Sequence, residues 1–143
     1  MARIKLVLPE QFTFATVIPI RISDINYGNH LGNDSVLSLM HEARMQYLQA
    51  HGLTELSFSG VSLIMGDVAI EFKNEGFYGE QVTAHVAAGD FTKVSFDLYY
   101  KLTKKVNDKE VLIAQAKTGM ICFNYDTRKV VPVPDEARKK LEN

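Results

Sequence analysis

The sequence predicts an α+β fold in which a curved antiparallel sheet wraps one long helix, and three observations lead there. One apolar-striped helical segment stands near the start; four period-two segments follow it in succession; and 143 residues suffice for a single core, so residues 1–143 are expected to form one domain. Within the first segment, Phe12, Phe14, Thr16, Ile18, Ile20 and Ile22 alternate with smaller or more polar residues, as in a strand with one buried face. Asp24 continues that parity. A strand reaching that far would carry a carboxylate inward, where it needs a partner, and Arg44 is the candidate.

Asn33 or Asp34 is placed to cap a helix running to about His51, with Gly52 just beyond as its C-terminal stop. On that helix Val36, Leu39, Met40, Ala43, Tyr47 and Ala50 form one stripe, widened by Leu37 and Leu48. Ser35, Ser38, Glu42, Gln46 and Gln49 leave only a narrow polar strip, so most of the helix is expected to be enclosed. A loop through Ser57, Phe58, Ser59 and Gly60 leads to strand segments at 61–73, 82–88, 94–102 and 111–125. Asn74 to Gly76, Tyr78 to Glu80, Gly89-Asp90 and Asn107-Asp108 separate them as turns. Residues 134–141, entered through Pro132 and Pro134, predict a short terminal helix.

Composition narrows the function classes. Hydrophobic residues make up 46 % and charged residues 23 % of the chain, and no window approaches the roughly 18 apolar residues of a membrane span. The formal net charge of −1 and the scattered cations leave no basic stripe, so nucleic acid and membranes are not expected partners. Lys101, Lys104 and Lys105 read as a solvated strand end. Cys122 is the single cysteine; it admits no internal disulfide, suits a reducing compartment and is expected in the core. Residues from Met1 to Leu6 lack the apolar core and cleavage site of a signal peptide, and a cytoplasmic location is expected. The four histidines show no metal-ligand spacing and no phosphate-cradling glycine motif occurs, so no metal and no separate cofactor are expected.

Chemistry concentrates between strand and helix. Within residues 24–34 stand Asp24, Asn26, Gly28, Asn29, His30, Gly32, Asn33 and Asp34, a density of hydrogen-bonding groups and glycines beyond what a connection needs. The run Ser-Asp-Ile-Asn-Tyr-Gly-Asn-His-Leu-Gly-Asn at 23–33, followed by His-Glu-Ala-Arg at 41–44, resembles the hydroxybenzoyl-CoA thioesterase branch of the hotdog proteins. Phe72 through Tyr78-Gly79-Glu80 is similar to a later turn of that family. The resemblance implies a hotdog fold, hydrolysis of an acyl-CoA or acyl-carrier thioester, coenzyme A present only as part of the substrate, and a homodimer or homotetramer with sites between subunits.

By the same resemblance Asp24 matches a structural aspartate, His30 the motif histidine, and Glu42 and Arg44 the helix motif. The family's catalytic aspartate position holds Asn26. An amide is neither a carboxylate nucleophile nor a base at neutral pH, so Asn26 is expected to orient water or hold the carbonyl. The proton would then go to His30 or Glu42, with Asp34 the next carboxylate. Amides at Leu31, Gly32 and Asn33, at the helix start, would stabilise the oxyanion. Asp67 is a reserve acid; it or Glu71 from a second subunit would come within reach of Asn26. Lys73, Lys93 or Arg128 would meet the coenzyme A phosphates. A non-hydrolytic acyl-thioester binder is the alternative, because of Asn26, and a hotdog dehydratase or hydratase is disfavoured by the surroundings of His30.

Overall fold

The computed structural model describes residues 3–142; Met1, Ala2 and Asn143 lie outside it, and with them the first residues of the signal-peptide reading and the ends of the expected domain. Six strands and two helices follow in the order β1 (Phe14–Pro19), α1 (Asn33–Ala50), β2 (Ser62–Phe72), β3 (Gln81–Gly89), β4 (Ser95–Val106), β5 (Lys109–Asn124), β6 (Lys129–Val130) and α2 (Asp135–Leu141). A short 3-10 turn, Ile22–Asp24, precedes α1. All strand pairs are antiparallel, and the sheet order is β1-β3-β4-β5-β2, with β6 alongside β5.

Burial explains the layers. Val82, Ala84 and Val86 of β3, Phe96, Leu98, Tyr100 and Leu102 of β4, and Ala114, Ala116, Met120 and Cys122 of β5 turn one face inward, as period-two strands must. Against that face α1 packs Val36, Leu39, Met40, Ala43, Tyr47 and Leu48, lying closest to β3 and β1. This curved antiparallel sheet around one helix is the hotdog fold the motifs imply.

Turn chemistry fixes the register. Asn107 and Asp108 both have positive φ, 52° and 63°, which closes the β4–β5 hairpin in two residues. Gly52, at φ 72°, ends α1; the Leu53 N–H returns to the Leu48 carbonyl at 2.9 Å and satisfies a terminal acceptor.

Several expectations need correction. The first strand stops at Pro19, Ile22 is exposed, and Asp24 is buried in the 3-10 turn instead of on a strand. Its partner is Arg21, whose backbone N–H donates to Asp24 Oδ2 at 2.8 Å and whose guanidinium lies 3.4 Å away; Arg44 is elsewhere. Gly32, not Asn33 or Asp34, is the N-cap of α1, and no side chain caps it. Val36, Leu39, Met40, Ala43 and Tyr47 of the expected stripe are buried, but Leu37 and Ala50 are exposed and Ser35 is buried, and eight of the 18 residues of α1 are exposed, so the helix is covered along one side instead of mostly enclosed. The strand after the helix, β2, does not pair with β3. It crosses to the far edge beside β5, with a bulge between Met65 and Asp67. Lys104 is buried and bonds both Glu80 oxygens, at 2.9 and 3.0 Å, with its ammonium 5.0 Å above the Phe77 ring; the solvated-end reading holds for Lys105.

Candidate active site

Between the 3-10 turn and α1 the chain forms a small closed loop. Asn26 N–H donates to the His30 carbonyl at 2.9 Å, and Ile25 and Leu31 form an isolated antiparallel bridge. Asn29, at φ 65°, supplies the left-handed residue that the reversal requires. Inside the loop Asn26 Oδ1 accepts from Gly28 N–H at 2.9 Å and from His30 N–H at 3.5 Å. With its oxygen engaged by the loop amides, the Asn26 NH₂ makes no hydrogen bond among the described residues.

His30 is partly buried, and its Nδ1 lies 3.2 Å from the Leu31 carbonyl. A carbonyl only accepts, so the proton sits on Nδ1 and Nε2 carries the lone pair of the neutral ring. A Cβ on Gly28 would lie 3.3 Å from both Asn26 Oδ1 and His30 Nε2. The absent side chain is what lets these two groups face the same small space.

Two of the three expected oxyanion amides are already engaged. Leu31 N–H donates to the Gly76 carbonyl at 2.7 Å, tying the loop to the β2–β3 connection, and Gly32 N–H donates to the Asp24 carbonyl at 3.0 Å, closing it on the 3-10 turn. The first helical bond is Val36 N–H to Gly32 carbonyl. Among the described residues the Asn33 amide makes no hydrogen bond, and it stands at the positive end of the helix dipole.

The carboxylates separate clearly. A Cβ on Gly32 would stand 2.6 Å from Asp34 Oδ1 and 3.6 Å from Asn26 Cβ, so Asp34 folds back over the helix start beside Asn26. Glu42 is exposed and accepts from Gln46 Nε2 at 2.7 Å; eight residues beyond Asp34, it stands roughly 12 Å along the axis. Asp67 is on the β2 bulge, where Lys117 at 3.0 Å and the Gly119 N–H at 2.9 Å hold its carboxyl below the usual range. Within one chain it does not meet the loop. Arg44 is buried and structural: its guanidinium donates to Tyr100 Oη at 3.1 Å and pairs with Glu55 at 3.4 Å.

Besides an open depression at the C-terminal half of α1, lined by Phe14, Thr16, Gln46 and Gln49, two grooves flank the helix. One, of about 440 Å³, lies between β1 and the helix and is lined by Val17, Ile18, Arg21, Leu39, His41, Glu42 and Met45 among others. The other, of about 210 Å³, joins His30, Leu31 and Asn33 to Phe72, Lys73, Gly76 and Ile113. At about 100° per residue, Asn33 and Val36 face one way and Ser38, His41, Glu42 and Met45 the opposite way. Of the cations expected to meet phosphates, Lys73 borders the second groove and pairs with Glu71 at 3.0 Å. Arg128 instead covers the Phe123 and Tyr125 rings, and Lys93 is exposed beside Val133, whose N–H its carbonyl accepts. Sequence reasoning missed Glu55 and His41, which are hydrogen-bonded at 2.8 Å; residues 14 apart in a helix and a loop give no spacing signal. Among the described residues no group of three or more His, Cys, Asp or Glu side chains is arranged to hold a metal ion.

Comparison with known proteins agrees with this architecture. The chain is 28 % identical over 109 residues to a 1,4-dihydroxy-2-naphthoyl-CoA hydrolase of Microcystis aeruginosa, covering 74 % of this chain and 76 % of that one. It is 27 % identical over 127 residues to the hydrolase of the same name from Rippkaea orientalis, covering 87 % and 91 %. A 4-hydroxybenzoyl-CoA thioesterase mutant, solved in complex with 4-hydroxybenzoyl-CoA, superposes with a TM-score of 0.82 at 13 % identity over 90 % of this chain and 98 % of its own. The family profile described as the thioesterase-like superfamily matches residues 20–141, from the end of β1 through α2, and the chain therefore belongs to the thioesterase-like superfamily.

Proposed function

We propose that the protein hydrolyses acyl-CoA thioesters, releasing a carboxylic acid and free coenzyme A, with the thioester carbonyl at the start of α1. The observation that carries this reading is the placement of His30 Nε2 and Asn26 around Gly28, beside the helix N-terminus. In the proposed reaction the carbonyl oxygen accepts hydrogen bonds from the Asn33 amide and the Asn26 NH₂, and these donors stabilise the tetrahedral oxyanion. His30 Nε2 takes the proton of the attacking water as its oxygen bonds to the carbonyl carbon. The imidazolium then gives that proton to the departing sulfur as the C–S bond breaks. Asp34, beside Asn26, is the carboxylate that stabilises the transient imidazolium and replaces the charge lost at position 26.

The β1–α1 groove would take the acyl group, and the narrower groove the pantetheine arm, with Lys73 toward the phosphates. The chemical names of the curated relatives favour aromatic acyl groups carried on coenzyme A. The reaction would take place in the cytoplasm: no helix among the described residues is long and apolar enough to cross a membrane, and Cys122 is buried and free. A homodimer formed through β2 fits an edge strand that exposes Met65, Val68 and Phe72.

Thiol release from short, long and aromatic acyl-CoAs tests the reading. His30→Ala is expected to lower kcat about 100-fold. A loss of the same size in Glu42→Ala, with His30→Ala unaffected, would move the base role to Glu42. Saturable binding of every acyl-CoA without any thiol release would replace hydrolysis by the acyl-binder alternative.

A further inference from the structure

Both ends of the loop that carries Asn26 and His30 hang on one turn. Where the chain enters, Ile20 N–H donates to the Glu80 carbonyl at 2.9 Å and Gly79 N–H to the Ile20 carbonyl at 3.3 Å. Where it leaves, Leu31 N–H donates to the Gly76 carbonyl at 2.7 Å. Leu31 is also the residue whose carbonyl accepts from His30 Nδ1. The placement of residues 76–80 is thereby passed to the imidazole through a single backbone unit.

A side chain places that turn. The Glu80 N–H donates to the Phe77 carbonyl at 3.1 Å and the Glu80 carboxylate accepts the Phe77 N–H at 2.7 Å, so the turn is closed on itself. Lys104 of β4 ties the same carboxylate to the sheet, donating to both of its oxygens at 2.9 and 3.0 Å, with the ammonium 5.0 Å from the centre of the Phe77 ring. The Lys104 side chain is only 8 % exposed, against 28 % for Glu80, so the cation is committed to this partner. Replacing a pair so placed by apolar groups is often neutral for stability. An apolar group in place of Lys104, however, would not hold a carboxylate where it meets the Phe77 N–H. What the pair supplies is the position of the turn, and with it the position of Gly76, Leu31 and the His30 ring.

We propose that Lys104 and Glu80 are positioning residues for the hydrolysis: the pair fixes the 76–80 turn, and the turn holds His30 Nε2 where it can take the proton of the attacking water. The inference rests on the reading that His30 is the base. Both residues act through the backbone of Leu31, not on the substrate. A displacement of about 1 Å at the reacting groups is enough to cost about 100-fold in rate, so a pair remote from the chemistry controls it through geometry alone.

Lys104→Met keeps the apolar stem and removes the ammonium. It is expected to lower kcat for acyl-CoA hydrolysis about tenfold or more while KM changes by less than about threefold. Lys104→Arg, whose guanidinium can meet both carboxylate oxygens, should return kcat to within about threefold of wild type. Amide hydrogen exchange supplies a readout that a general loss of stability would not give. In Lys104→Met the Leu31 amide should exchange at least about tenfold faster, while the Leu98 and Ala116 amides inside the sheet stay as in wild type. With ¹⁵N-histidine, His30 should carry its proton on Nδ1 in wild type and show a mixture of tautomers in Lys104→Met. Should Lys104→Met not fold, Glu80→Asp, which keeps the charge and shortens the reach by one methylene, takes its place with the same expectations. An unchanged kcat in the folded variant, no recovery in a folded Lys104→Arg, or Leu31 exchange that rises only together with that of Leu98 and Ala116 would overturn the proposal. Failure of the hydrolysis reading appears separately, as no thiol release by the wild type, and the Leu31 exchange and His30 tautomer then still decide whether the pair holds the loop.

Discussion

Arg44 shows how one side chain can be read correctly as important and incorrectly as to its partner. Its guanidinium joins Tyr100 and Glu55 in the interior, and Tyr100 Oη also meets Thr118 Oγ1 at 2.8 Å. Tyr100→Phe removes the shared hydroxyl and leaves two buried groups short of a partner, so it should lower stability by about 1–3 kcal/mol in urea unfolding. Arg44→Ala should cost more, about 3–5 kcal/mol, because it strips the cation from the partly buried Glu55. Burial pushes the Cys122 thiol up to about 11; at pH 8 it should react with iodoacetamide only when the protein is unfolded, as mass spectrometry of native and urea-treated samples would show. At this scale the sequence marked Asp24, Asn26, His30 and Arg44 as unusual. Partner choice was hidden: Asp24 takes Arg21, three residues away, because the chain leaves the strand at Pro19 and turns, and alternation gives no sign of where a strand will stop.

Element by element, local signals worked best where a backbone requirement dictates the residue. Gly52 ending α1 and Asn107-Asp108 closing the β4–β5 hairpin were legible because positive φ restricts the choice of side chain. The pairing of β2 with β5 was not legible, since every strand here alternates and alternation identifies a face, never a neighbour. Lys104 was misread for a related reason: the carboxylate that buries it, Glu80, is on a turn far away in sequence. The contact between the loop and the β2–β3 connection at Gly76 was equally hidden. A Cβ there would come within 2.9 Å of Ile20 Cδ1 and 3.2 Å of Leu31 Cβ. Gly76→Ala should therefore loosen the loop that carries Asn26 and His30, costing about 1–3 kcal/mol in thermal or urea unfolding.

For the whole molecule, acid and association are the informative variables. Glu71 on β2 accepts from Gln115 Nε2 and the Leu6 N–H and pairs with Lys73, contacts that lower its pKa from 4.5 to about 2. The folded state prefers the ionised carboxylate, so this contribution is complete above about pH 4.5 and fades as the pH falls toward 2. Glu71→Gln should flatten that part of the acid-unfolding curve monitored by circular dichroism. If β2 joins two copies, light scattering after size exclusion should give twice the chain mass, and Val68→Lys on that edge should move the population toward the monomer. The layered fold was legible from the order of one helix and four alternating segments, whereas the two grooves were not. They exist only once β1 and the β2–β5 end of the sheet stand on either side of α1. That division gives directed evolution two separate handles. If the two grooves take the acyl group and the thiol carrier as proposed, libraries restricted to Ser38, Glu42 and Met45 would explore the first, libraries at Phe72, Lys73 and Glu75 the second, and winners from the two should combine with little epistasis.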